Sequence, residues 1–239
     1  MGAYPFTPTP LHFFIPKFRG KMRIDKDIIM RPDHQGEVSG CVLVLPGRGI
    51  SGGLMERFML HTGLGRSLKI ILEPAYLEWY PAPNGPEDQE AALWGQDVAR
   101  NCLEEEVERI KRAWGFGKKD ICIVGFSAGS VMAIQMLAHS NEPYAGILSL
   151  SGAILNPASL PKAKFNTPVL LQHNADDDCF KWEERYLPMK KALIGNGYNV
   201  QTKEGWGGHT LTGEECELTR DFVSKQFGYF EDYEVPEEH

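Results

Sequence analysis

The sequence predicts an α/β protein with a mostly parallel central sheet and helices on both faces. Three observations carry that expectation. Continuous apolar runs ("GCVLVLPG", "LKIILEP", "DICIVGF", "YAGILSLSG", "TPVLLQHN") alternate with helical stretches, the pattern of strands buried on both faces. Of the 239 residues, 42% are apolar, enough for one large core. No internal repeat, low-complexity tract or composition shift marks a second domain. The expected division is an N-terminal arm over 1–22, one α/β domain over 23–230, and an acidic tail over 231–239.

The elements follow in order. Residues 1–22 are rich in Pro and aromatics without periodicity, as expected of an arm laid on the domain. "KDIIMR" reads as a strand, and "GCVLVLPGRG" as a buried strand leaving through a Gly-rich turn. "GLMERFMLHTGL" is a helix and "LKIILEP" a buried strand. A long helix follows from Pro86, which suits a first helical position, with Glu87 and Asp88 at the positive end of the helix dipole. Leu103, Val107, Ile110 and Trp114 mark its apolar face.

"DICIVGF" is the next strand, and 127–138 a helix apolar nearly all round, hence buried. "YAGILSLSG" and "TPVLLQHN" are further buried strands, "MKKALIGNG" a short helix ending at glycine, and "NVQTKE" the last strand. The final helix opens on the capping box Thr212-x-x-Glu215 and is expected to bury Leu218, Phe222 and Phe227.

Charge and cysteine usage narrow the function. The formal charge is −7, and "EDYEVPEEH" at the C-terminus is strongly acidic. That balance argues against nucleic acid and anionic membranes as partners. No apolar run has the length of a membrane span. "LHFFIP" is too short for a signal core, and Phe6 stands where a myristoylation signal needs Ser or Thr. The five cysteines are scattered, with no CxxC, which suits free thiols in a reducing compartment. The expectation is a soluble, cytoplasmic protein.

"DICIVGFSAGS" raises the chemical question. A strand runs into Ser127 and a buried helix leaves it, with Gly125 and Gly129 two residues to either side. So sharp a bend crowds the backbone at those two positions and pushes the serine hydroxyl into the open, at the helix N-terminus. In such sheets, sites lie at the carboxyl ends of strands. Ser127 is therefore the candidate nucleophile.

A serine hydroxyl needs a base, and the base an orienting acid, expected in the order Ser, acid, His. Downstream stand His139, His173, His209 and His239. His139 closes the helix after Ser127 and suits its dipole; His239 is terminal. His209, in the Gly-rich "EGWGGHTLTGEE", is the candidate base. The acid should follow "TPVLLQHN", where Asp176, Asp177 and Asp178 compete. That run lacks the alternation of a calcium loop, and no HExxH is present, so neither metal nor organic cofactor is expected. Oxyanion donors are expected at Ala128, directly after the nucleophile, and in the turn "LPGRGISGG".

Taken together, these residues resemble the phospholipase/carboxylesterase group of α/β-hydrolases, which includes acyl-protein thioesterases and small bacterial carboxylesterases. The resemblance spans about 38–227 and rests on "VLVLPGRG", "GFSAGS", "LSLSGAIL", "LLQHNADDD" and "GWGGH" in that order. It implies an α/β-hydrolase fold without a large lid domain, given the short insert between "LSLSG" and "TPVLL". The family's acid lies four residues beyond a strand-end histidine. His173 is that histidine, so the resemblance favours Asp177 and leaves His173 structural. An H-G-x-G turn matches at Gly47 and Gly49, which implies the Arg48 N–H as second oxyanion donor. Pro46 replaces the usual histidine, Asn174 a usual glycine, and Ala128 and Ser130 the common Gln and Gly. "YLEWYPAP" resembles the family's aromatic segment, in which Trp79 either lines the substrate or covers the core.

The implied activity is hydrolysis of a carboxylic ester or thioester through an acyl-enzyme, on a small-molecule or acyl-group substrate in an open site. A dehalogenase would carry Asp at position 127, and a dienelactone-type hydrolase Cys. The rivals are a serine peptidase, which usually carries a gating domain, and a ligand-binding protein without turnover. Oligomeric state is left open, a homodimer being one option.

Overall fold

The computed structural model describes residues 22–32, 38–83, 85 and 88–229. The expected arm (Met22 apart), the acidic tail with His239, and Pro86 and Glu87 lie outside the described residues.

Seven strands form one sheet in the order β1-β3-β2-β4-β5-β6-β7. They are β1 (Ile24–Met30), β2 (Cys41–Leu45), β3 (Leu68–Pro74), β4 (Ile121–Phe126), β5 (Gly146–Leu150), β6 (Pro168–Asn174) and β7 (Asn199–Gly205). β1 pairs antiparallel with β3, and every other neighbour pair is parallel. The helices are α1 (Gly52–His61), α2 (Gln89–Trp114), α3 (Ala128–His139), α4 (Leu187–Gly195) and α5 (Gly213–Phe227).

The side-chain alternation of a strand explains why the central runs are apolar throughout. On β2, Cys41, Leu43 and Leu45 enter the core under α2, α3 and α4, while Val42 and Val44 enter the core under α1 and α5. On β4, Ile121 and Ile123 face the first core, and Cys122, Val124 and Phe126 the second. Burying such a side chain is worth about 2 kcal/mol, so these central strands anchor the loops at their ends. The borders differ. β1 exposes Asp25, Lys26 and Asp27, and β7 exposes Gln201, Thr202, Lys203 and Glu204.

Two helices depart from expectation in detail. On α2, Leu103, Val107 and Ile110 are buried but Trp114 only partly, with Arg31 over its ring. On α5, the buried row is Cys216, Thr219, Phe222 and Val223, and Leu218 and Phe227 are half-buried at its flank. The capping box is present: Glu214 N–H donates to the Thr212 hydroxyl, and Thr212 N–H to Glu215. All five thiols are free, and no described helix is long and apolar enough to cross a membrane.

The chain passes from β2 outward to β3, then returns to the other side of β2 as β4. That reversal opens a crevice at the carboxyl ends of β2 and β4, where such sheets bind ligands. Among the described residues, no large lid covers it.

Candidate active site

Ser127 sits between β4 and α3 with φ 54° and ψ −120°, a strained backbone for a residue with a side chain. Its N–H donates to the Leu150 carbonyl at the end of β5 (2.9 Å), which fixes the bend from the neighbouring strand. Both flanking glycines are required by close approach. A Cβ on Gly125 would lie 2.5 Å from the Gly129 carbonyl oxygen, and one on Gly129 would run into the Leu45 carbonyl. Ser130, the departure noted above, is fully buried and shares a 2.5 Å hydrogen bond with Ser149.

The structure brings Ser127, His209 and Asp177 together. His209 Nε2 lies 2.8 Å from Ser127 Oγ, and His209 Nδ1 lies 2.7 Å from Asp177 Oδ2. A carboxylate can only accept, so Nδ1–H donates to it and the Nε2 lone pair is left for the serine proton. Phe126 and Phe180 pack on the imidazole at centroid distances of 5.1 and 5.7 Å, holding the ring plane.

Asp177 is sealed from solvent, whereas His209 keeps 14% of its side chain exposed. An unpaired buried carboxylate costs several kcal/mol. Here Oδ1 accepts the N–H groups of Cys179 (2.9 Å) and Phe180 (2.8 Å), and Oδ2 takes the imidazole. Burial pushes the carboxyl up, but the His209 and Phe180 hydrogen bonds and the nearby imidazoles outweigh it and hold it below the ordinary carboxylate range. His173 is fully buried, stacks on Tyr186 at 4.6 Å and donates Nε2–H to the Phe180 carbonyl (2.7 Å). It braces the 177–180 turn from below, and burial pushes its basicity down.

The other two aspartates divide. Asp176 Oδ1 accepts the N–H groups of Gly207 and Gly208, both at 2.9 Å, so it grips the loop carrying His209. Asp178 points to solvent. Asn174, where the resemblance implies glycine, also holds that loop: its Nδ2 donates to the Gly208 carbonyl (2.9 Å). Its Oδ1 accepts from Gln172 (3.0 Å), which donates in turn to Glu215 (2.8 Å), the capping-box acid of α5. A buried polar chain thus links the start of α5 to the residue before His209. Its two long links, Gln172 to Glu215 and Asn174 to Gly208, span 43 and 34 residues and form only in the folded sheet, so the sequence does not reveal them.

The turn after β2 packs against the nucleophile. A Cβ on Gly47 would lie 3.1 Å from Ser127 Cβ, and Gly49 has φ 71°. Gly49 N–H donates to the Leu77 carbonyl (2.9 Å), and Tyr76 and Leu77 both adopt φ 57° to present it. The Arg48 guanidinium reaches Glu78 (3.1 Å) and the Tyr80 carbonyl (2.9 Å), so its side chain straps the turn to the 75–80 segment. Among the described residues, the Arg48 N–H has no backbone acceptor. The Ala128 N–H opens α3, where first-turn donors lack helical acceptors.

For Trp79, burial favours the second of its two readings, a cover for the core. It is fully buried, and its Nε1–H holds the Pro46 carbonyl at 2.7 Å. It therefore offers no surface to a substrate; it covers the core and pins the turn at Pro46. A cleft of about 660 Å³ lies between α1 and α5. Ile50, Leu54, Phe58 and Leu211 form its apolar wall, and Arg57, His61, Glu217 and Arg220 also line it.

Comparison with known proteins bears on this geometry. The family model described as Phospholipase/Carboxylesterase matches residues 82–227, more than half of the chain. The chain belongs to the phospholipase/carboxylesterase family. It is therefore a hydrolase of esterase or phospholipase type. Family-like folds appear among solved structures. Esterase PE8 aligns with TM-score 0.75 at 22% identity, covering 86% of this chain and 99% of that one. A phospholipase/carboxylesterase from Dyadobacter fermentans aligns with TM-score 0.69 at 20% identity, covering 83% and 96%. The Bacillus cereus carboxylesterase aligns with TM-score 0.67 at 16% identity, covering 84% and 94%. At such identities the likeness speaks for the α/β-hydrolase fold.

Proposed function

We propose that the protein is a serine hydrolase that cleaves carboxylic esters or thioesters through an acyl-enzyme. Ser127 Oγ attacks the acyl carbon while His209 Nε2 takes its proton. Asp177 holds the imidazole in the tautomer that leaves Nε2 free and stabilises the cation as it forms. The N–H groups of Arg48 and Ala128 receive the oxyanion; losing one such donor typically costs about 100-fold or more in rate. The imidazolium protonates the leaving alcohol or thiol. Water, deprotonated by the same imidazole, then releases the acid and restores Ser127. The α1–α5 cleft receives the apolar part of the substrate.

The observation that carries this reading is the unbroken contact from Asp177 through His209 to Ser127, 2.7 and 2.8 Å long, ending on a strained serine at a helix start. The test is incubation with a fluorophosphonate and with p-nitrophenyl acetate. One covalent adduct per chain, mapped to Ser127, and hydrolysis abolished in Ser127→Ala are expected. No adduct on folded protein would refute the mechanism. A short peptide amide in parallel should remain intact.

A further inference from the structure

We propose that Asp177, Cys179 and His209 form an inhibitory site for a thiophilic divalent cation, of which Zn²⁺ is the type. A carboxylate oxygen, the Cys179 sulfur and an imidazole nitrogen lie within 4.8 Å of one another. Carboxylate, thiolate and imidazole are the donors that Zn²⁺ prefers, and three protein ligands leave a fourth position for water. Cys179 is the exposed cysteine among the described thiols, so its side chain can turn toward the ion. It stands in the turn whose N–H groups already hold Asp177.

The inference rests on the reading of His209 as base, because the ion and the reaction compete for one ring. Neutral imidazole has a single lone pair. An ion on Nε2 occupies the pair that must take the Ser127 proton. An ion on Nδ1 moves the ring proton to Nε2, which then faces Ser127 as a donor and cannot accept. Either way the base is lost, and the thiol proton leaves for solvent. Zn²⁺ bonds of about 2.1 Å set neighbouring ligand atoms about 3.4 Å apart. The 2.7 Å contact between His209 and Asp177 therefore opens to admit an ion between them, a small shift in a loop rich in glycine. Mg²⁺, which binds oxygen ligands and keeps its waters, has no comparable claim on a thiolate.

Two readouts test this. Ester hydrolysis is followed against ZnCl₂ or MgCl₂, each protein's rate referred to its own metal-free rate. Expected are inhibition by Zn²⁺ alone, reversal by EDTA, and at least about a tenfold weaker response in Cys179→Ser. Independently, Cd²⁺ is titrated into wild type and Cys179→Ser while thiolate-to-metal absorption is recorded in the ultraviolet. A band present in wild type and absent in the variant supports the site, even if no ester is turned over. Equal Zn²⁺ inhibition of both proteins, or equal Cd²⁺ bands, would overturn it.

Discussion

His209 Nε2 meets Ser127 Oγ at 2.8 Å although the two residues stand 82 positions apart in the chain. Three loops from three parallel strands converge to make that contact, and each can be tested separately.

The acid is tested first. Asp177→Asn keeps the shape of the side chain but lets Nδ1 accept, which favours the wrong tautomer of His209. A fall of about 10⁴-fold in kcat with unaltered circular dichroism is expected. Asp178→Asn, in solvent, should leave kcat within about twofold. Equal losses at both positions would remove Asp177 from its role.

Asp176 and Asn174 act on His209 through its loop. Asp176→Ala frees the Gly207 and Gly208 N–H groups, and Asn174→Ala frees the Gly208 carbonyl. Each hydrogen bond is worth about 1 kcal/mol, so Asn174→Ala, which frees one loop contact, should lower kcat by about fivefold and Asp176→Ala, which frees two, by about thirtyfold, with little change in KM. A loss confined to thermal stability would make the two residues structural only.

Glycine at the bend is a steric demand. Gly129→Ala forces a methyl into the Leu45 carbonyl, and a loss of at least about 3 kcal/mol in urea denaturation is expected. Gly53→Ala, within α1, meets nothing within 4 Å and should be neutral or slightly stabilising.

Acid should weaken the fold through His173 and Asp177. Burial lowers the folded-state pKa of His173 below 6.5, and the hydrogen bonds of Asp177 outweigh its burial to lower that carboxyl below 3.8. In both cases the unfolded chain binds protons before the folded one does, so stability rises with pH. The His173 contribution is complete above about pH 6.5 and is lost as pH falls through its lowered value; the Asp177 contribution is lost in still stronger acid. Melting temperatures measured from pH 8 down to pH 5 should fall. His173→Gln should flatten that decline, and an unchanged slope would remove His173 as its source.

If the α1–α5 cleft receives the acyl chain, as proposed, it sets the preference among chain lengths. Leu54→Asp places a charge on an exposed wall residue, with little cost to folding. Each buried methylene is worth about 0.8 kcal/mol, so KM should rise for octanoyl esters and stay constant for acetyl esters. A uniform change across the series would place the chain elsewhere.

What the sequence revealed divides by range. Ser127 was legible because its cues are local: a strand, two glycines and a helix within a dozen residues. His209 was legible by order along the chain. Asp177 was not separable from its neighbours by composition; family resemblance chose it, and only the folded loop shows that Asp176 grips glycines 31 and 32 residues away. Trp79 was ambiguous because an aromatic residue beside a site looks the same in sequence whether its indole faces in or out. The left-handed pair Tyr76 and Leu77 left no trace either, since neither is a residue type that advertises such a backbone.

The borders of the sheet have a consequence of their own. An unpaired strand edge invites a second chain to add itself, the first step toward fibrils. Here one border carries Asp25, Lys26 and Asp27 and the other Lys203 and Glu204. A foreign strand docking on either would have to strip water from those charges. The apolar strands most able to nucleate aggregates are thereby kept in the middle of the described sheet, away from its charged borders.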